Sequence, residues 1–234
     1  MTQDSRTEIT KGGKDRVNQC SELMAAAFLD DPIYNWFLYT TPDHKYQAHL
    51  LAMIHAVVKV TTIAHGYITE AGGWGSSAAF CPPGYSPDGV VTILQARLIP
   101  TVIKLGFSPC KRILVELSSA VERTKAKCLT REEKKKGFWY VAIMGTSPQR
   151  RRQGLAGKLI QDMQSRAEGD GCPIWLESTT PESKRLYSKH GFKAVEGINL
   201  GKGNVDVNGR AKAGGEGITI WGMLWRPRRP EQII

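Results

Sequence analysis

The stretch TSPQRRRQGLAGKL at 146–159 is the part of the chain most suited to chemistry. Three consecutive arginines lead into small residues and then an apolar, helix-like run. A continuous apolar segment, FWYVAIM, comes just before it. A strand, a turn and a helix in that order leave the first amides of the helix without intrahelical acceptors. Those amides point outward with the positive end of the helix dipole behind them, so an anion is held there. Gly154, Ala156 and Gly157 would let a phosphate approach the backbone, and Arg151 and Arg152 would add charge-assisted hydrogen bonds. The plainer alternative is a basic helix start with no ligand. Two familiar phosphate loops fail here. A Walker A loop needs glycine at 152 and a hydroxyl residue at 159, where this chain has Arg152 and Leu159. A Rossmann turn needs G-x-G-x-x-G, which GLAG matches poorly, and Glu177 ends a strand that already leads into another helix.

The elements that must position this turn fit an α/β chain. Its 234 residues, 41% hydrophobic and 23% charged, suffice for a buried core without metal or disulfide staples. The net charge of +10 favours anionic partners. The five cysteines are scattered, with no C-x-x-C pair and no zinc-like histidine spacing, so no metal is expected. The start MTQDSRTE is polar, and LLAMIHAVVKVTTIA is too short for a span and carries His55 and Lys59. A cytoplasmic protein with no membrane partner is the expectation.

Residues 1–14 read as loose, with Ile9 in a short first strand. DRVNQCSELMAAAFLDDP reads as an amphipathic helix closed by Pro32, and TPDHKYQAHLLAMIHAVVKVTTIAHG as a second. GYITEA and WGSSAAFCPPG form a hairpin. Helical periodicity returns at PDGVVTILQARLIP and CKRILVELSSAVERTKAKCL within an insertion at 87–136, and TREEKKKG reads as a solvated connector. FWYVAIM reads as a strand buried on both faces. After LAGKLIQDMQSRAEGDG comes the strand PIWLEST. The helix TPESKRLYSKHG follows, with Thr180 as N-cap, Pro181 at the first helical position and Gly191 at its end. FKAVEGINL and GITIWGMLW are the last strands, joined by the glycine-rich loop 201–217, and RPRRPEQII is an exposed tail.

These residues resemble the GNAT superfamily of acetyl-CoA-dependent N-acetyltransferases. Its pyrophosphate loop appears as Arg151-x-x-Gly154-x-Ala156 after GTSP, and it is followed by PIWLEST and then LYSKHGF. AAAFLDDP, FWYVAIMGTSP, and the ten residues from Glu177 in LEST to Tyr187 resemble the puromycin N-acetyltransferase branch. Arg152 departs from the usual glycine. The resemblance implies one domain over 1–234, with 137–226 as the acetyl-CoA core. It implies a mixed central sheet splayed between strands 4 and 5, with helices on both faces. It also implies acetyl-CoA as cosubstrate, an amine of a small molecule as acceptor, and direct attack without an enzyme-bound acyl group. Met144, Gly145 and Thr146 would meet the pantetheine arm. Arg151, Arg152, Gln153, Gly154, Leu155, Ala156 and Gly157 would hold the diphosphate. Tyr187 would serve the leaving thiolate, and Glu177 would be the base, with a salt bridge to Lys184 or Arg185 as its structural alternative and Glu70 as a second candidate. A protein or peptide acceptor and an acetyl-CoA-binding module without turnover remain alternatives. So does a basic nucleic-acid-binding protein, although no aromatic-interleaved basic motif or zinc module supports it.

Overall fold

A computed structural model describes residues 8–85 and 99–228. One seven-stranded sheet runs through it in the order β1-β2-β3-β4-β5-β7-β6. Its strands are β1 (Ile9–Gly12), β2 (Tyr67–Ala71), β3 (Ser76–Cys81), β4 (Trp139–Thr146), β5 (Ile174–Ser178), β6 (Lys193–Leu200) and β7 (Ile218–Trp225). Every neighbouring pair is antiparallel except β4 and β5. That parallel pair is short: Trp139 faces Ile174, Tyr140 faces Trp175, and the ladder then stops although β4 continues to Thr146. The strands therefore splay, and the sheet is mixed, as expected.

The cause of the splay lies in β4 itself. Against β3, Ala79 pairs with Ile143 and Phe80 with Val141, so Ala142 is an extra residue. Such a bulge bends its strand and reverses which side chains face which side. Before it, Trp139 and Val141 pack with the helix that follows β4; after it, Ile143 packs with the N-terminal helices. FWYVAIM is thus not buried on both faces. Tyr140, Ala142 and Met144 are only half-buried and line a cavity.

Helices α1 (Val17–Ala27), α2 (Pro32–Leu38) and α3 (Asp43–Ile63) cover one face. Pro32 does not simply end the first helix. Asp31 accepts the Ile33 amide at 3.0 Å, and Pro32 opens α2, a role its fixed φ suits. The insertion contains α4 (Ile99–Leu105), α5 (Phe107–Lys111), a π-helical turn over Arg112–Leu117, and α6 (Ser118–Cys128). The helix expected over PDGVVTILQARLIP lies outside the described residues up to 98, as do the loose start at 1–7 and the tail from 229. TREEKKKG is not a connector but α7 (Arg131–Lys136). Thr130 caps the Glu133 amide at 3.1 Å and Glu133 caps the Thr130 amide at 2.8 Å, a reciprocal box that forms a helix without apolar periodicity.

On the opposite face, α8 (Leu155–Asp170) buries Leu155, Leu159, Ile160 and Met163, and α9 (Pro181–Lys189) begins at Thr180 as expected. The tail is anchored at its start: Arg226 donates to Glu133 and to the Cys128 carbonyl, and the Arg228 amide to Glu168. No helix among the described residues is long and apolar enough to cross a membrane. None of the five cysteines forms a disulfide.

Candidate active site

The turn after β4 carries two left-handed residues in close succession, Arg152 with φ 65° and Gly154 with φ 77°. Arg152 occupies a conformation that suits glycine, with its side chain exposed on the surface. The first helical bond of α8 runs from the Lys158 amide to the Gly154 carbonyl at 3.2 Å. Among the described residues, the amides of Gly154, Leu155, Ala156 and Gly157 have no protein acceptor. The side chains around them are committed elsewhere. Arg151 donates to the Ala27 carbonyl at 3.1 Å and Arg150 to Gln153 at 2.9 Å. Gly157 is small for a reason: a Cβ there would lie 3.1 Å from His190 Nε2.

The β4 edge leads from this turn into the gap left by β5. The Ser147 amide bonds back to Gly75, and the Gly145 carbonyl accepts from Ser76 at 2.9 Å, so both residues turn their backbone toward the β3 side. By strand alternation Met144 and Thr146 turn theirs toward the gap. Gly145 has a different constraint. A Cβ would come within 2.9 Å of Met24 Sδ and 3.1 Å of Ala27, so its lack of a side chain lets α1 pack onto the sheet.

The gap opens into a cavity of about 300 Å³. Its walls come from α2, α3, the insertion helices, β4, β5 and α9. Glu177 and Tyr187, chosen from sequence, both line it. Glu177 accepts from the Tyr140 hydroxyl at 2.9 Å and from Trp175 Nε1 at 2.5 Å. These two donors orient the carboxylate. The expected partners are used elsewhere: Lys184 stacks over Trp221, and Arg185 pairs with Glu182.

Tyr187 is buried at the end of α9 against Phe192. Its hydroxyl takes no protein hydrogen bond among the described residues. Burial, reinforced by the charge of Asp31, pushes the phenol well above its ordinary pKa. It is therefore a neutral donor throughout the physiological range. Asp31 is itself buried, with its carboxyl pushed up by desolvation. It accepts from Thr179 at 2.6 Å and so ties the start of α2 to the loop after β5.

Glu70 does not face this cavity. It is buried in β2, where it accepts from Thr10 at 2.6 Å and from the Trp74 amide at 2.7 Å, holding the first strand and the hairpin turn. The Cys172 thiol is buried, pushed up in pKa by desolvation, and lies against the Asp170 carbonyl. Tyr140 was missed in the sequence because it sits inside an apolar run. The link from Trp175 to Glu177 was legible, since residues i and i+2 of a strand share a face.

A mixed sheet whose parallel fourth and fifth strands part over a cavity, with unpaired helix amides at one end, fits the fold that the GNAT resemblance implied. The comparisons agree. Residues 120–194 match the family described as acetyltransferase (GNAT) domain. An uncharacterized N-acetyltransferase of Schizosaccharomyces pombe is 28% identical over 189 residues, covering 81% of this chain and 75% of the relative. The fold is shared with arylalkylamine N-acetyltransferase 2 from Aedes aegypti, at TM-score 0.60 and 16% identity, covering 96% of this chain and 100% of that one. It is also shared with a polyamine N-acetyltransferase of Drosophila melanogaster, at TM-score 0.58 and 16% identity, covering 94% and 100%. Together these matches support a GNAT acetyltransferase.

Proposed function

We propose that the chain acts as one cytoplasmic domain that moves an acetyl group from acetyl-CoA to the amine of a small molecule. Residues 137–226 form the acetyl-CoA core, and the insertion at 87–136 helps to wall the acceptor. The observation that carries this reading is the cavity at the β4–β5 gap, which both Glu177 and Tyr187 line. Acetyl-CoA suits the neighbouring residues: four amides without protein acceptors meet its diphosphate, and the edge at Met144 and Thr146 meets its pantetheine arm as an added strand would. Arg151 and Arg152 add charge at the mouth, and Gln153 braces Arg150. When bound, the cosubstrate supplies an activated acyl carbon.

The chain supplies the rest. Glu177, held by Tyr140 and Trp175, takes the proton from the entering ammonium, directly or through water. The C–N bond then forms and the C–S bond breaks. Tyr187 donates a hydrogen bond to the departing sulfur and stabilises its developing charge in the mainly apolar cavity. Its raised pKa favours hydrogen-bond donation over outright proton transfer. The second proton, lost by the nitrogen once the C–N bond has formed, ends on the thiol, and the first passes from Glu177 to solvent. Cys110 also lines the cavity, but burial raises its pKa, and no histidine lies among the described lining residues. That supports direct attack over an acylated enzyme. The small-molecule reading is favoured over a peptide acceptor by the modest cavity volume. The likeness to the puromycin branch rests on AAAFLDDP, the FWYVAIMGTSP strand, the Glu177-to-Tyr187 spacing and the inserted helices before the fourth strand.

The test is twofold. Acetyl-CoA at 100 times its Kd should stabilise the protein by about 2.7 kcal/mol. An amine panel should then release CoA thiol faster than the amine-free control. Absence of both effects would remove the enzymatic reading.

A further inference from the structure

The acceptor cavity is strongly one-sided in its chemistry. Among the described lining residues Glu177 is the sole carboxylate, and it sits at the β4–β5 end with Tyr140 and Tyr187. The rest of the described lining carries no charge and is mainly apolar, with Phe37, Met53, Val57, Leu105, Leu117 and Val121 beside the hydroxyls of Thr101 and Ser118. Asp31 is not among the described lining residues and is engaged by Thr179 and by the cap of α2. We infer that the acceptor is a monoamine with a bulky apolar body, and that di- and polyamines are rejected. This rests on the acetyltransferase reading and narrows it. A second ammonium on the acceptor would be stripped of water against a mainly apolar lining that holds no second carboxylate among the described residues, which is strongly unfavourable. An alkyl or aryl body instead gains about fourfold in binding for each methylene removed from water.

The experiment measures kcat/KM for propylamine, hexylamine, heptylamine and hexane-1,6-diamine with the wild-type protein at saturating acetyl-CoA. From propylamine to hexylamine, kcat/KM should rise about 60-fold over three methylenes. Heptylamine and hexane-1,6-diamine have the same length and differ by a methyl group against an ammonium. The diamine should be slower by at least about 100-fold. Leu117→Glu, which adds a second carboxylate to the lining, should raise diamine turnover and lower that of heptylamine. Should this variant not fold, the wild-type series decides alone. Equal use of diamine and heptylamine, or a flat chain-length series, overturns the apolar-acceptor inference while leaving the acetyltransferase reading intact. Acetyl-CoA binding without acetylation of any amine overturns both.

Discussion

The Tyr140 hydroxyl donates to Glu177 Oε2 at 2.9 Å, from the last rung that β4 shares with β5 to a residue two positions past that rung on β5. The bond spans the place where the strands part, so the carboxylate is fixed at the throat of the cavity. Glu177→Gln keeps the shape and removes the proton acceptor. It should lower kcat/KM about 10²- to 10³-fold near pH 7. The defect should shrink as pH approaches the pKa of the amine, because the acceptor then arrives deprotonated. Tyr140→Phe should cost less, about tenfold, through a less well held carboxylate. A pH–rate profile for each variant checks this, and a Glu177→Gln profile parallel to wild type would exclude the base role.

Tyr187→Phe should lower kcat about 10²-fold and leave acetyl-CoA affinity unchanged, since only the hydroxyl is lost. Burial and the Asp31 charge raise the phenol pKa, so the protonated form persists above the usual tyrosine range. Wild-type kcat should therefore show no alkaline fall near pH 10 from this group. Steady-state kinetics with a CoA titration separates the two effects.

At the phosphate turn, Gly154→Ala places a Cβ on a residue at φ 77°. Space is available there, so the penalty is conformational, about 1–2 kcal/mol. The four amides should be displaced with it, and CoA affinity should fall several-fold. Arg152→Gly behaves differently. It relieves left-handed strain but adds about 0.4–1 kcal/mol of unfolded-chain entropy. Its stability should stay within about 0.5 kcal/mol of wild type. Urea unfolding and calorimetric CoA titration test both.

How legible was this site? The cradle could be read because an apolar strand, small turn residues and a helical run are local features. The Thr130-x-x-Glu133 box was equally local, yet α7 was overlooked because its helix lacks an apolar stripe. The second role of Pro32 needed the Asp31 cap to be recognised. Three features had no local signature. The Ala142 bulge depends on the pairing with β3. The left-handed turn falls on Arg152, a residue with no preference for it. The partners of Glu177 were sought among Lys184 and Arg185 nearby in sequence, whereas Tyr140 approaches from a neighbouring strand.

The anchoring of the tail start predicts an acid-sensitive element. Arg226 donates to Glu133 and holds its carboxyl below the ordinary range. A depressed carboxyl stabilises the fold above its unfolded pKa and loses that effect as pH falls through the lower, folded value. Glu133→Gln should thus cost about 1 kcal/mol at pH 7, limited by the exposure of Arg226, and almost none in strong acid. Denaturation curves at pH 7 and pH 3 give the comparison.

Only two rungs join β4 to β5, so the seven strands amount to two panels on a narrow hinge. An arm of pantetheine laid along that seam would act as a missing strand and lock the panels together. Deuterium uptake at the amides of Met144 and Thr146 should consequently slow once the cosubstrate is seated, recording closure of the sheet by its own reactant.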